Sequence, residues 1–274
     1  DDLFRPEPLP QLPQVVVAWG VDGFAARNVL MTKVVLLRVG IDSGSGGIQG
    51  PLFNDGSFEY ICIPDKKGVG QHTYGTLVGK NGIPHSHYFS QRKREKIAQQ
   101  HVHLDPEFDT FTYGDPTIPK RSLRSLERGD YLVFYAGLQL WTEDAGWNQE
   151  SAAALYIIGY FVVDVAGMAT QFPNAILKTE FGNNFHVRYP SVFRVQRKEL
   201  VLVKGGLGSR LLERAHRISA GGTDRAGKPL KVLSPAIQKV FGDFGGHVSI
   251  QRSPPRWVEE EFVEKAIKFV KELT

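Results

Sequence analysis

The sequence predicts an α+β fold with a mainly-β core, peripheral helices and a C-terminal helix. Residues 131–137 and 155–165 are apolar runs of strand length, rich in aromatic and β-branched side chains. Residues 258–273 instead repeat apolar side chains at helical spacing, with glutamates first and lysines later. No complete glycine fingerprint for a dinucleotide and no P-loop is present. A doubly wound sheet is therefore disfavoured.

The remaining elements are shorter. Strands are predicted for the other short apolar runs, at residues 33–39, 58–63, 192–195 and 200–203. Helical segments are predicted at residues 91–100, 122–127, 174–185, 208–216 and 230–241. Loops are predicted where glycine, proline and polar residues dominate, at residues 68–87, 113–119 and 141–150.

Composition restricts the class of protein. Hydrophobic residues make up 42% and charged residues 23% of the chain, as in ordinary globular proteins. The single cysteine, Cys62, excludes an internal disulfide framework and any multi-cysteine metal site. No apolar run reaches the roughly 18 residues of a membrane span, and no secretory signal is visible. We expect a cytoplasmic protein with no membrane partner.

Basic residues occur in three separate clusters, and the whole chain carries a formal charge of +4. Residues 194–231 hold ten Lys or Arg and three acids, a local excess of seven positive charges. The other clusters are residues 92–96 and the group Lys120, Arg121, Arg124 and Arg128. Clusters that converge would form a surface that follows phosphates, whereas separate clusters would be ordinary solvated faces. Nucleic acid is the predicted partner.

A Gly/Ser-rich loop that carries one carboxylate follows the first predicted strand. Asp42 and Ser43 open this loop, and glycine lets its backbone N–H groups approach a ligand closely. Asp42 is a candidate general base, or a hydrogen-bonding partner for a ribose or base. Alternatively, its carboxylate shapes the loop as an Asx-turn. Asp55, in Asn-Asp-Gly, is interpreted mainly as a turn residue.

This loop and two later elements resemble a known family. The positions that carry the resemblance in the loop region are Arg38, Gly40, Ile41, Asp42, Ser43, Gly46, Gly47, Ile48, Pro51, Asp55, Gly56, Ile63 and Pro64. They are similar to the opening of the third type of nucleotide-modification-associated domain, whose members are predicted to take part in hypermodification of nucleic-acid bases. His103-Leu-Asp-Pro106, and Gly129-Asp130 with its aromatic strand, resemble later elements of that family.

The resemblance covers roughly residues 31–260. Met31 begins the segment that carries the resemblance, so residues 1–30 are expected to be an N-terminal extension or, alternatively, sequence upstream of the usual start at Met31. Residues 31–274 are expected to form a single nucleotide-modification-associated domain. The resemblance also implies DNA, more than RNA, as the partner, with other proteins of a modification pathway as further candidates. It carries over no catalytic residue.

The centre of the chain is similar in layout to small barrels of the PUA/EVE type. Gly129-Asp130 leads into an aromatic strand, a polar loop follows, and an Ile-Gly-x-x-x-Val strand returns. Barrels of that type hold bases or modified bases between a strand and its loops. The layout therefore predicts a PUA/EVE-like barrel as one form of the mainly-β core.

Histidines gather around Asp105. His85, His87, His101 and His103 form two His-x-His pairs, and alternate residues of a strand point to one face. These pairs could bind a metal, or they could be surface and capping histidines. Because no third anchored ligand is evident, no metal site is predicted. We take His103 and Asp105, with Asp42 and Ser43, as the candidate catalytic residues, and no motif identifies a cofactor.

The candidate nucleic-acid-binding residues are basic, aromatic or amide side chains in predicted loops. Trp141 could stack on a base, and Asn184 and His186 could contact a base edge or simply cap a turn. Lys204 and Arg210 flank a Gly-rich loop predicted to open a helix, which would seat a phosphate or serve as a plain connector. The other candidates are Arg92, Arg94, Lys120 and Arg121.

Two functions remain open from the sequence. The leading hypothesis is a base-modifying protein that contacts DNA, with the Asp42 loop, His103, Asp105 and the loop 204–210 around one site. The alternative is a non-catalytic PUA/EVE-like reader of modified bases, or an RNA-binding accessory module. No nucleophile elbow or Ser-His-Asp spacing supports acyl transfer.

Overall fold

The computed structural model describes residues 31–251 and 254–274, which form an α+β domain built on a large mixed sheet. The predicted extension, residues 1–30, lies outside the described residues. The strands are β1 (Val34–Arg38), β2 (Gly50–Leu52), β3 (Ile63–Pro64), β4 (Val102–His103), β5 (Thr112–Asp115), β6 (Tyr131–Thr142), β7 (Gly146–Trp147), β8 (Ala154–Met168), β9 (Val201–Gly205), β10 (Arg210–Arg217), β11 (Ser219–Thr223), β12 (Pro229–Leu233) and β13 (Arg256–Trp257).

The main sheet has the order β13-β1-β6-β8-β9-β5. Strand β1 runs parallel to β6, while β6, β8, β9 and β5 are successively antiparallel. Strands β2 and β7 also pair with β6, and β10 pairs with β8. Two small ribbons, β3-β4 and β11-β12, complete the strand pairing. Within the described ranges the sheet does not close into a barrel, so the predicted PUA/EVE-like barrel is not confirmed.

Helices cover parts of this sheet. They are α1 (Gln91–Ala98), α2 (Asn174–Phe181), α3 (Phe185–Arg188), α4 (Pro190–Gln196), α5 (Pro235–Phe241) and α6 (Glu260–Glu272), with 3-10 helices at His85–Tyr88 and Ile118–Ser125. In the part of the chain that the structure describes, no helix has both the length and the apolar character needed to cross a membrane.

The core surrounds β6 and β8, as their apolar runs predict. Phe134 and Phe161 face each other across the two strands, with ring centroids 4.6 Å apart, and both are fully buried. Asp130 fixes the start of β6, because its carboxylate accepts hydrogen bonds from the backbone N–H groups of Lys33 and Glu127 at 2.7 and 2.8 Å. The Gly129-Asp130 pair therefore ties β1 to β6.

Two of the predicted elements are wrong in type. Residues 208–216 form strand β10 rather than a helix, because Gly208 turns the chain with φ +93° and the edge of β8 offers hydrogen-bond partners. Sheet pairing here overrides the helix propensity of Leu-Leu-Glu-Arg-Ala. Residues 192–195 lie in helix α4, which Pro190 opens at its first turn.

Other boundaries also differ from prediction. Residues 230–241 divide into β12 and α5 at Ser234, whose hydroxyl caps the helix by accepting from the Ile237 N–H. Of residues 58–63 only Ile63 joins a strand. The loop predicted at 113–119 contains most of β5, and that at 141–150 is a hairpin containing β7.

Candidate active site

A cavity of about 320 Å³ opens where β1, β4, β5 and α4 meet. This volume is within the range of roughly 300–1,000 Å³ that is usual for small-molecule sites. The lining residues are Arg38, Val39, Gly40, Ile63, His103, Asp105, Tyr113, Gly114, Asp115, Pro116, Thr117, Lys120, His186 and Gln196.

His103 and Asp105 reach the cavity from the end of β4. This strand pairs antiparallel with β3, and His103 lies opposite Ile63. The Asp105 carboxylate is buried and accepts a hydrogen bond from the backbone N–H of Gly114 at 3.0 Å. The Asp105-Pro106 peptide is cis. These two candidate catalytic residues therefore line the same cavity.

His186 is brought to the same point by helix α3. Asn184 caps this helix: its side-chain oxygen accepts from the His186 N–H at 3.1 Å. Gly114 allows the helix to approach β5, since a Cβ there would stand 2.8 Å from Asn184 Oδ1 and 2.9 Å from His186 Cδ2. A local cap and one glycine thus set the position of a histidine 83 residues from His103.

The three side chains form a tight cluster. Nε2 of His103 and Nε2 of His186 are 3.1 Å apart, and Asp105 Oδ2 lies 3.2 Å from the latter and 3.9 Å from the former. No other group of three or more His, Cys, Asp or Glu side chains within residues 31–251 and 254–274 has this convergence. We call these three residues the His-Asp-His cluster.

Neighbours fix the orientation of each imidazole. Gln196 Oε1 accepts from Nδ1 of His186 at 2.6 Å, so Nε2 is the His186 nitrogen that faces the cluster. Phe185 stacks on His103 with ring centroids 4.0 Å apart. From the sequence, His186 was predicted to contact a base edge, and Gln196 was not among the candidate site residues.

Burial and mutual contact set the ionisation of the cluster. Burial lowers the pKa of His103, and the neighbouring His186 lowers it further. Burial raises the pKa of Asp105, which its contact with His186 partly offsets. Burial alone would lower the pKa of His186, but the Asp105 carboxylate outweighs burial and raises it. His103 is therefore favoured in its neutral form, while Asp105 and His186 each stabilise the charged form of the other.

Two cations face the cavity above the cluster. Arg38 forms an ion pair with Asp42, at 3.3 Å between Nη2 and Oδ2, and also donates to the Gln251 carbonyl. Burial lowers the pKa of Lys120, while Asp115 opposes that shift. Positive charge next to a ligand-sized cavity favours an anionic ligand group.

Asp42 does not line the cavity. Its Oδ1 accepts from the backbone N–H groups of Gly44 and Ser45 and from the Ser45 hydroxyl, at 2.7–2.9 Å. This is the Asx-turn weighed against the catalytic role. Ser43 is exposed. Asp42 is linked to the cavity by its ion pair with Arg38, which lines it. Catalysis by Asp42 or Ser43 stays a prediction.

Two predicted nucleic-acid contacts are buried. Trp141 is 6% exposed and packs edge-on against Tyr88 with ring centroids 5.0 Å apart, so it is not placed to stack on a base. Asn184 is fully buried as the cap of α3 and cannot reach a base edge. For Asn184 the turn-capping alternative matches the structure.

Two elements that carry basic residues, the 3-10 helix Ile118–Ser125 and α4, both contribute to the lining of the cavity. Arg121, in the 3-10 helix that carries Lys120, forms an ion pair with Glu199, just beyond α4. Helix α4 itself carries Arg194, and the exposed Arg197 follows it. We call Lys120, Arg121, Arg124, Arg194 and Arg197 the basic rim. The convergence of the basic clusters into one phosphate-binding surface stays a prediction.

The remaining basic candidates lie elsewhere. Arg92 is exposed on α1, and Arg94 donates to the His87 carbonyl at 2.9 Å. Lys204 donates to the Thr110 carbonyl, and Arg210 lies over the Tyr160 ring. Because β10 is a strand, loop 204–210 does not form the predicted phosphate seat at a helix start. None of these four lines the cavity.

Residues 33–272 match the family model described as nucleotide modification associated domain 3. No curated protein and no solved structure matches the chain. The family match covers most of the sequence, including the His-Asp-His cluster, the basic rim and the Asp42 loop. The chain belongs to the nucleotide modification associated domain 3 family.

Proposed function

We propose that this protein is an enzyme that modifies a base in nucleic acid, DNA rather than RNA, and that the reaction takes place at the His-Asp-His cluster. The observation that carries the proposal is the position of the cluster. Three proton-accepting or metal-binding side chains stand at the wall of a cavity of about 320 Å³. Perturbed ionisable groups within a cavity of this size are typical of active sites.

The surroundings of the cavity suit a polynucleotide. The basic rim supplies positive charge on two neighbouring elements, the 3-10 helix Ile118–Ser125 and α4. Ile118 and Val195, each 73% exposed, directly neighbour the lining residues Thr117 and Gln196. Exposed apolar side chains beside cations can pack on an unstacked base while the cations hold its phosphates.

The reaction class is limited by the chemistry of the cluster. Two imidazoles and a carboxylate at a cavity can either move a proton between atoms of a substrate or hold a metal ion that activates water. Arg38 and Lys120 would stabilise a phosphate or carboxylate of the substrate. The buried Cys62 offers no nucleophile, because burial raises its pKa to about 12.

The test compares the nucleosides of cells that carry either the wild-type gene or the Asp105→Asn variant. DNA and RNA are digested separately and analysed by mass spectrometry. We expect a modified deoxynucleoside that depends on the wild type and is absent with Asp105→Asn. Asp55→Asn is the matched control, because Asp55 serves an exposed turn. Identical nucleosides in all three strains would refute the proposed base-modifying activity.

The alternative is a non-catalytic reader of modified bases, for which the cavity would hold the base without changing it. In that case Asp105→Asn would leave the nucleosides unchanged and weaken binding to modified DNA. An enzyme would instead lose turnover while its affinity for DNA, which the basic rim supplies, changes little. Measuring both quantities on the same variant separates the two functions.

A further inference from the structure

We propose that the His-Asp-His cluster binds one divalent transition-metal ion of the zinc or iron(II) class. The ligands are Nε2 of His103, Oδ2 of Asp105 and Nε2 of His186. Two imidazole nitrogens and one carboxylate oxygen are the donor set that suits such ions better than Mg²⁺ or Ca²⁺. All three ligands line the cavity, so water or substrate could reach an ion held there.

The spacing of the donor atoms fits a coordination polyhedron. Ligands about 2.1 Å from a metal, at angles between those of an octahedron and a tetrahedron, stand roughly 3.0–3.4 Å apart. Two of the three donor separations, 3.1 and 3.2 Å, lie within that interval. The third, 3.9 Å between His103 and Asp105, exceeds it by about half an ångström. A small rotation of His103 would close this difference.

Each ligand has a neighbour that orients it. Gln196 holds the His186 proton on Nδ1 and leaves Nε2 for the metal. The backbone N–H of Gly114 donates to both carboxylate oxygens of Asp105, at 3.0 and 3.2 Å, and the Phe185 ring stacks on His103. Hydrogen-bonded supports of this kind are typical of metal-binding histidines and carboxylates.

A metal-free cluster is the competing explanation. In it, one shared proton would link His186 to Asp105, and His103 would accept or donate the remaining hydrogen bond. Such a pair explains two of the contacts, but it does not need a third lone-pair donor or an open side toward a cavity. Both features are expected of a catalytic metal site that keeps a coordination position free.

The proposed metal site lies at the cavity of the proposed function and so rests on that proposal, but metal binding can be measured without any substrate. Metal uptake with unchanged nucleosides in cells would refute the proposed function alone. Wild-type-dependent nucleosides from a protein that binds no metal would refute this inference alone.

The experiment is a metal titration of the chelator-treated full chain, with Zn²⁺ in air and Fe²⁺ without oxygen. Isothermal titration and elemental analysis should give one ion per chain. Co²⁺ should give the visible absorption of an ion with nitrogen and oxygen ligands. Asp105→Asn and His186→Gln should each weaken binding by more than about a hundredfold, because losing a ligand should cost more than losing a partner that only orients a ligand, which costs about 10- to 100-fold.

Two variants serve as controls. His101→Gln, two residues from a ligand but outside the cluster, should bind like the wild type. Gln196→Met should keep all three ligands and weaken binding about 10- to 100-fold. Circular dichroism of each variant checks that it folds. No uptake by the folded wild type, or equal uptake by wild type, Asp105→Asn and His186→Gln, would overturn the proposal.

Discussion

The Asp42 loop and the His-Asp-His cluster hold their carboxylates in opposite ways. Asp42 directs its oxygens to its own turn and to Arg38, so its hydrogen-bonding capacity is used by the loop that contains it. Asp105 directs Oδ2 toward two imidazoles at a cavity. The Asp42 carboxylate is therefore used within its own turn and by Arg38, whereas the Asp105 carboxylate joins one histidine close to it in sequence and one distant histidine at the cavity.

Metal removal should have the largest effect. If the cluster holds a catalytic ion, dialysis against a strong chelator should abolish base modification, and Zn²⁺ or Fe²⁺ should restore it. The Asp42 loop has no part in this response, so chelator-treated Asp42→Asn protein should recover to its own untreated level. The measurement is turnover by nucleoside mass spectrometry before and after readdition. Full activity in metal-free protein would contradict the account.

Gly114→Ala should disturb the cluster without changing any ligand. A methyl group at this position meets Asn184 and His186 at less than 3.0 Å, so helix α3 must shift. We expect at least a tenfold loss of turnover and about 1–3 kcal/mol of stability. Turnover and urea unfolding measure the two effects.

Gly221→Ala is its control, because a Cβ at Gly221 meets nothing within 4 Å. If Gly114→Ala has the activity of Gly221→Ala, the position of His186 does not matter for the reaction.

Salt dependence compares the basic rim with helix α1. Replacing two exposed rim residues, in Arg124→Gln/Arg194→Gln, should lower the slope of log affinity against log salt by about two. The matched pair on α1, Arg92→Gln/Lys93→Gln, should change it less, because α1 does not line the cavity. Fluorescence anisotropy with duplex DNA at several salt concentrations gives both slopes. A wild-type slope near one would exclude a broad phosphate surface.

Asp42 should affect stability more than chemistry. Asp42→Ala removes the acceptor of two backbone N–H groups and should cost about 1–2 kcal/mol, while Asp42→Asn keeps an acceptor and should cost less. Burial alone would raise the pKa of Asp42. Hydrogen bonds with Ser45 and the charge of Arg38 outweigh burial and hold this pKa below its ordinary 3.8. The ionised form therefore stabilises the fold above that pH, and this contribution is lost as the pH falls through the lowered pKa.

Urea unfolding of wild type and Asp42→Ala from pH 7 to pH 2.5 tests this assignment. The difference in the free energy of unfolding should be constant above about pH 5 and shrink below pH 4. A difference that stays constant to pH 2.5 would show that the ionised carboxylate does not stabilise the turn.

Local sequence patterns predicted the centre of the fold well. The continuous apolar runs of β6 and β8 and the helical spacing of α6 determine those elements, because burial favours one geometry in each. Strand β10 was missed because its helix-forming residues pair with the distant edge of β8. The residues near β10 in the sequence do not show that this edge is available for pairing.

The site was predicted in part for the same reason. His103 and Asp105 lie two residues apart and were recognised together, whereas His186 joins them only through Asn184 and Gly114. The one local indication was Asn184 before Phe-His, a cap that buries the histidine next to an aromatic ring. The contact between the 3-10 helix Ile118–Ser125 and the residues after α4 likewise depends on the long-range Arg121–Glu199 ion pair.

The most direct test of the account compares Asp42→Asn and His186→Gln in one assay of base modification. DNA from cells carrying each variant is digested, and the modified nucleoside is quantified by mass spectrometry against the wild type. We expect Asp42→Asn to retain at least about a third of the product and His186→Gln to lose on the order of a hundredfold or more. The reverse result, loss with Asp42→Asn and retention with His186→Gln, would place the reaction at the Asp42 loop and contradict the account.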